Sequence, residues 1–373
     1  MKRGYLITGI IIMSFNSLYQ YSWNTFEPLL KSGLNVTLVE IQIAFTLFAI
    51  FSTGFQGIGG YFADKNGPRN IGILSAIFAS SGFIGTSFIH SLYLFYFFWS
   101  LGSIGEGILY GLAANLAVKW FKGKRGFAVG FVSLGFGLGA AIANIFIARA
   151  VSFRTPMLII GIVEIIVLPL LLIKAKYPES DQMAGEKTVK NLKNKTFWVL
   201  YISFILGAMP LIVISASFGY LGSTLPVFEF TVLVSLFPLL SGVSRPILGY
   251  VSDSLGRPRM VLIIYIFTII GAIFLLLRSY VIAIILIGFF GGSLISMYFS
   301  LIGDIFGPRF STANNGVFYT GKAISGFLGS TVFAALFIIS HETSFIFVLV
   351  SAIVAVIFLL LSMAKKVFMV PNV

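Results

Sequence analysis

The chain has 373 residues, 58% of them hydrophobic and only 10% charged, with a mean hydropathy of +1.01. A soluble domain carries roughly 25% charged residues, so the composition excludes one water-soluble core and predicts an all-α polytopic membrane protein. The formal net charge is +13, but the cations fall in short connections between apolar runs, which points to membrane topology and away from nucleic acid.

Apolar runs predict twelve transmembrane helices near 5–28, 39–63, 70–89, 92–118, 126–149, 154–173, 196–219, 228–251, 259–277, 280–303, 313–339 and 343–363. The first starts at MKRGYLITGIIIMSF, which has a basic start but no small-residue cleavage pattern, and so reads as a span rather than a removed signal. Within it Asn16, Gln20 and Asn24 recur at i+4 and predict one polar stripe. The fourth span carries Glu106 and Tyr110 on one face, near mid-membrane. Glu164 falls near the middle of the sixth span, while Glu27 and Glu229 fall near span ends and are expected at the interface.

The polar stretch 174–195 divides the chain into residues 1–173 and 196–373, each with six spans. Connections on the side of both termini hold Lys65, Arg69, Lys119, Lys122, Lys124, Lys187, Lys190, Arg257, Arg259, Arg309, Lys365 and Lys366, among others. The opposite side has only Lys31, Arg149, Arg154 and Arg278. This bias predicts a plasma-membrane protein with both termini and the 174–195 linker in the cytoplasm. It also isolates Arg245 and Lys322 as basic residues inside spans.

The halves repeat. GGYFADKNGPR after the second span matches LGYVSDSLGRPR after the eighth, with Gly60, Asp64 and Gly67 aligned to Gly249, Asp253 and Gly256 at one offset. Duplicated six-span halves are a transporter signature, with the site at the midplane between the repeats. Gly60, Asp64, Lys65, Gly67 and Arg69 resemble the loop signature of the major facilitator superfamily. That resemblance implies two pseudo-symmetric six-helix bundles working by alternating access. It also implies that Asp64, with Asp253, Gly256 and Arg257 in the repeat, serves as a conformational latch rather than a substrate contact.

QYSWNTFEPLL (20–30), VKWFKGKRGFAVGFVSLGFGLGA (118–140), SRPILGYVSDSLGR (244–257) and NNGVFYTGKAISG (314–326) further resemble the oxalate:formate antiporter and monocarboxylate transporter family. By that resemblance Arg245 and Lys322 bind a substrate carboxylate, and Gln20, Tyr21, Tyr110 and Tyr319 line the site.

Depth points the same way without the resemblance. Arg245 precedes Asp253 by about 12 Å of helix, and Lys322 follows Ala313 by about 14 Å. Both cations therefore fall near the middle of a core roughly 30 Å thick, where a charge faces a cavity or a partner. Two cations at one level suit a small organic anion: an arginine fork for the carboxylate and a lysine point charge beside it.

Glu106 departs from the family's small residues at its position, and is expected to act either as counter-ion or proton carrier or as a structural hydrogen-bonding acid. The expected function is secondary transport of mono- or dicarboxylates such as oxalate, formate or lactate, by exchange. Proton-coupled symport is the alternative; a facilitator for another solute and a sensor that does not transport are the lesser ones. A monomer in a lipid bilayer is expected. No enzyme chemistry or cofactor is: the chain contains no cysteine, His90 and His341 lie far apart, and no P-loop or nucleophile–base pair stands out.

Overall fold

The computed structural model describes residues 2–121, 125–178, 191–306 and 311–364. Lys122, Lys124, Lys187, Lys190, Arg309, Lys365 and Lys366, expected on the side of the termini, lie outside these residues, as does most of the 174–195 connection. The described chain is helical, and 11 of its helices are long and apolar enough to cross a membrane.

The first span joins them in two pieces, Lys2–Tyr21 and Trp23–Leu34, parted at Ser22. Pro28 lies in the second piece; it lacks an N–H, and its ring crowds the carbonyl one turn back at Asn24, which loosens the helix beside the break. Asn35 closes this span in the left-handed region, at φ 52°. The second span, Leu38–Asn66, then opens with a reciprocal cap between Thr37 and Glu40.

The two duplicated loops have the same backbone. Gly67 closes the second span and opens the third (Pro68–Phe88), and Gly256 joins the eighth (Val227–Leu255) to the ninth (Arg257–Leu276), both at φ 85°. Glycine alone adopts that angle at little cost, and a proline at the start of each following helix occupies a position whose N–H has no partner in the helix.

The halves differ elsewhere. The tenth span (Tyr280–Phe306) and the eleventh (Asn314–Ile339) each contain a π-helical turn, at Ile287–Gly291 and Leu328–Val332. The fourth (Leu92–Trp120) and fifth (Arg125–Ile147) are continuous α-helices. The helical pattern also breaks at Ser293 and Thr320.

Packing divides the spans as the repeat implies. The second, third and fifth pack on the first and fourth, and the sixth (Arg154–Leu172) on the third; the twelfth (His341–Ala364) packs on the seventh (Lys195–Leu221) and ninth. The halves meet where the fifth span crosses the eighth, the second the eleventh, and the first the seventh. At the first crossing Gly137 and Gly242 lie so close that a Cβ on Gly137 would sit 2.8 Å from the Gly242 Cα.

The core is asymmetric through the thickness of the molecule. One hydrophobic cluster runs from the N-terminal half into the C-terminal half at the ends away from the termini, through Leu211–Ile214, Phe218, Phe237 and Phe333. The C-terminal half has its own second cluster at the end carrying the termini, around Phe197, Phe204, Tyr298 and Phe318. Among the described residues the halves thus share a hydrophobic core on the far side, while on the side of the termini the start of the eleventh span touches the second near Gly57 and Gly316.

Candidate functional site

Arg245 is 6% exposed and Lys322 1%. Arg245 lies in the eighth span before Pro246, and its Nε donates to the Gly292 carbonyl at 3.2 Å. That acceptor sits at the break following the tenth span's π turn, where a carbonyl is released from the regular helical ladder. The guanidinium lies over Phe136 at 5.2 Å, and the Tyr21 and Tyr110 hydroxyls face it.

Lys322 follows the break at Thr320. Its Nζ donates to Gln20 Oε1 at 2.8 Å and to the Tyr319 hydroxyl at 3.0 Å, and lies 5.2 Å from the Phe48 ring. The two cations are within electrostatic reach of each other. Stacked rings connect them: Tyr110 and Tyr319 lie 6.0 Å apart at 16°. Among the described residues neither cation makes an ion pair with a carboxylate. A lysine has three donors and an arginine five, and the rings of Phe48, Phe136, Tyr110 and Tyr319 lie around the two cations.

Glu106 is 1% exposed. Ser52 donates to its Oε2 at 2.5 Å, and Asn16 Nδ2 donates to its backbone carbonyl at 3.0 Å. It lies within electrostatic reach of Lys322.

All seven residues expected at the site, Gln20, Tyr21, Glu106, Tyr110, Arg245, Tyr319 and Lys322, thus occupy one cluster on the seam between the halves. The polar stripe of the first span does not stay together. Gln20 faces Lys322, Asn16 is turned to the fourth span, and Asn24, past the break at Ser22, bonds the Ile214 carbonyl at 2.8 Å and the Gly219 N–H at 3.1 Å. Glu27 is not interfacial: it is 1% exposed, and both its oxygens lack a hydrogen-bond partner. The break and Pro28 turn it into the seam beside Gly219. Glu164 is fully buried on the face of the sixth span that also buries Met157, Gly161, Leu168 and Leu172, and its oxygens are without partners.

Phe48, Phe136, Ser52, Ser241 and the Gly292 carbonyl are further members that sequence reasoning missed. The Gly291–Gly292 pair was the one local signal, marking an irregular helix beside a polar side chain.

The seam is hydrogen-bonded at the site and beyond it, on the side away from the termini. Tyr21 bonds Ser241 at 2.7 Å, Trp23 Nε1 and Gln42 Nε2 both donate to the Ala216 carbonyl, at 3.1 and 2.8 Å, and Asn144 Nδ2 donates to the Val234 carbonyl at 2.7 Å. Thr46 meets Ser330 at 2.8 Å and Thr331 at 2.9 Å.

The residues expected as a latch lie outside this cluster. Gly60, Lys65, Gly67 and Arg69 are at the end of the second span and the start of the third; the Asp64 side chain is outside the described residues. In the repeat, Arg257 bridges Asp253 at 2.5 Å and Asp304 of the tenth span at 3.6 Å. It also donates to the Gly249 carbonyl at 3.2 Å and to the Ser252 hydroxyl. These contacts are all within the C-terminal half.

A family model described as Major Facilitator Superfamily matches residues 6–232 and 199–368. A protein of Thermoproteus tenax, described as an uncharacterized 38 kDa protein in a 23S RNA operon, is 40% identical over 95% of this chain and 94% of its own length. The oxalate:formate antiporter of Oxalobacter formigenes is 32% identical over 92% of this chain and 88% of its own. Among solved structures, a bacterial homolog of the human lysosomal transporter Spinster, inward-facing and unoccupied, superposes with a TM-score of 0.77 at 15% identity, covering 100% of this chain and 99% of that one. The duplicated helical architecture, the family match over nearly the whole chain and the 32% identity to the antiporter agree: this chain belongs to the Major Facilitator Superfamily.

Proposed function

We propose that this chain carries small organic anions across the plasma membrane by alternating access, exchanging one carboxylate for another. One observation carries the reading: two buried cations on the eighth and eleventh spans lie among aromatic rings at the seam, and among the described residues neither pairs with an acid. A charge held at that depth calls for a partner, and an incoming carboxylate supplies it. The relative named an oxalate:formate antiporter supports the carboxylate class.

In this reading the units that rock are residues 1–173 and 196–373, joined by the 174–195 linker, and one chain suffices. The termini face the cytoplasm. Gln20, Tyr21, Tyr110 and Tyr319 position the anion. The loops at Asp64 and Asp253 act as latches at the helix ends. The polar seam beyond the site supports an arrangement closed on the far side, with cargo released toward the termini.

Glu106 favours a second reading, proton-coupled symport, because it is a buried acid beside Lys322. Proteoliposomes separate the two. Exchange requires anion inside the vesicle and ignores an imposed pH gradient; symport is driven by that gradient with no internal anion. For binding itself, purified protein is titrated with carboxylates and its thermal unfolding followed. A ligand at 100 times its dissociation constant stabilises by about 2.7 kcal/mol. Arg245→Gln and Lys322→Gln are expected to fold yet lose that shift; retention of it in both variants would refute the reading.

A further inference from the structure

We infer that Glu106 sets the charge of the cargo, so that the site takes singly charged carboxylates and turns dicarboxylates away. The inference rests on the carboxylate reading above and extends it to substrate class.

The argument begins with the charges that meet at the seam. The eighth and eleventh spans bring Arg245 and Lys322, the fourth brings Glu106, and Gln20, Tyr21, Tyr110, Tyr319, Phe48, Phe136 and Ser241 are uncharged in their ordinary forms. Two cations and one carboxylate sum to a single positive charge, which one carboxylate of a cargo balances. A dianion would leave a net negative charge in a region shielded from water, where like charges repel far more strongly than in solution.

Glu106 is placed to exert this effect. Phe48 and Ser52 are one helical turn apart on the second span, and side chains four residues apart are neighbours. Ser52 donates to the Glu106 carboxylate at 2.5 Å, and the Lys322 ammonium lies 5.2 Å from the Phe48 ring. The carboxylate therefore stands about one turn from the ammonium, held by the N-terminal half, whereas both cations belong to the C-terminal half. Its charge is not absorbed by a salt bridge; Ser52 from the second span is its side-chain hydrogen-bond partner among the described residues. The other charged or titratable groups within electrostatic reach are Lys322, Tyr19, Tyr110, Tyr319 and the buried acid Glu164 of the sixth span. An anion whose first carboxylate engages Arg245 and Lys322 would bring a second carboxylate against Glu106.

The test is equilibrium binding of acetate and malonate to purified protein at about pH 7.5, where both ligands are fully ionised, at constant ionic strength. Wild type is expected to favour acetate by about tenfold or more. Glu106→Gln keeps the shape and removes the charge; it should raise malonate affinity by about tenfold more than it raises acetate affinity. Glu106→Asp should keep the acetate preference. If Glu106→Gln does not fold, judged by its own thermal transition, Glu106→Ala is read the same way. A wild type that prefers malonate, or an acetate-to-malonate ratio equal in wild type and the neutral variant, overturns this inference while leaving the carboxylate reading intact, provided that binding still requires Arg245. Absence of carboxylate binding in every variant overturns both.

Discussion

Arg245 illustrates what a single side chain does at this depth. Its Nε is committed to the Gly292 carbonyl, its guanidinium carbon lies 5.2 Å from the Phe136 ring centre, and the Tyr21 and Tyr110 hydroxyls face it, so an anion would meet its outer N–H groups. Lysine could offer a charge but not the fork, the stack and the carbonyl bond together. Arg245→Lys is therefore expected to weaken carboxylate binding by about 1.5–3 kcal/mol, the value of a charge-assisted hydrogen bond, as read by titration calorimetry. Both cations were legible in the sequence because a charge inside an apolar run has no ordinary background. Phe48 and Phe136 were not, because the chain has 40 phenylalanines and nothing local separates a site wall from packing. Glu27 misled for a related reason: distance along the chain placed it near a span end, but a helix break turned it inward.

At the scale of elements, the duplicated loops were readable because a repeat of glycine, acid and proline signals a cap and a turn wherever it occurs. At Gly67 and Gly256 a side chain would be held at positive φ with extended ψ, a region essentially restricted to glycine, so alanine at either should destabilise by about 1–3 kcal/mol. Gly249 has open space and ordinary helical geometry, so Gly249→Ala should leave the thermal midpoint almost unchanged. Thermal unfolding of the three variants checks the contrast. Loss of the Asp253–Arg257 bridge is expected to act on motion: Asp253→Asn should slow anion exchange while binding stays within about threefold, because latches change rates and populations rather than contacts with cargo. A collapse of affinity in that variant would make Asp253 a binding residue. The break at Ser22 and the π turns carry no comparable signal. They lie where a helix meets a neighbour through irregular backbone, as when the Gly292 carbonyl turns to Arg245 within the C-terminal half.

For the whole molecule, two six-span halves were legible from hydropathy and the repeat alone. Which side they close on was not, because that depends on pairs such as Thr46 with Ser330 and Asn144 with Val234, almost 300 and 90 positions apart. Asn144 is fully buried and donates to both the Tyr21 and Val234 carbonyls. Asn144→Ala removes both bonds, each worth about 0.5–1.5 kcal/mol net, and should shift the balance toward opening on the far side. The absence of cysteine from the chain gives a clean readout: Ser330→Cys, fully buried against Thr46, should react with a thiol reagent about fivefold faster or more when Asn144 is alanine. An unchanged rate would mean that this contact does not hold the seam.

The division of residues between the halves has a mechanical consequence. Both cations belong to the C-terminal half, while Gln20, Tyr21, Phe48, Glu106 and Tyr110 belong to the N-terminal half. Under the proposed transport of an anion, cargo bound between them would be anchored by charge on one side and enclosed by neutral or repelling groups on the other. On rocking, the strong bonds would keep their lengths and the weak ones break. The cargo would then travel as a passenger of the C-terminal half, with the N-terminal half moving past it as a sliding door.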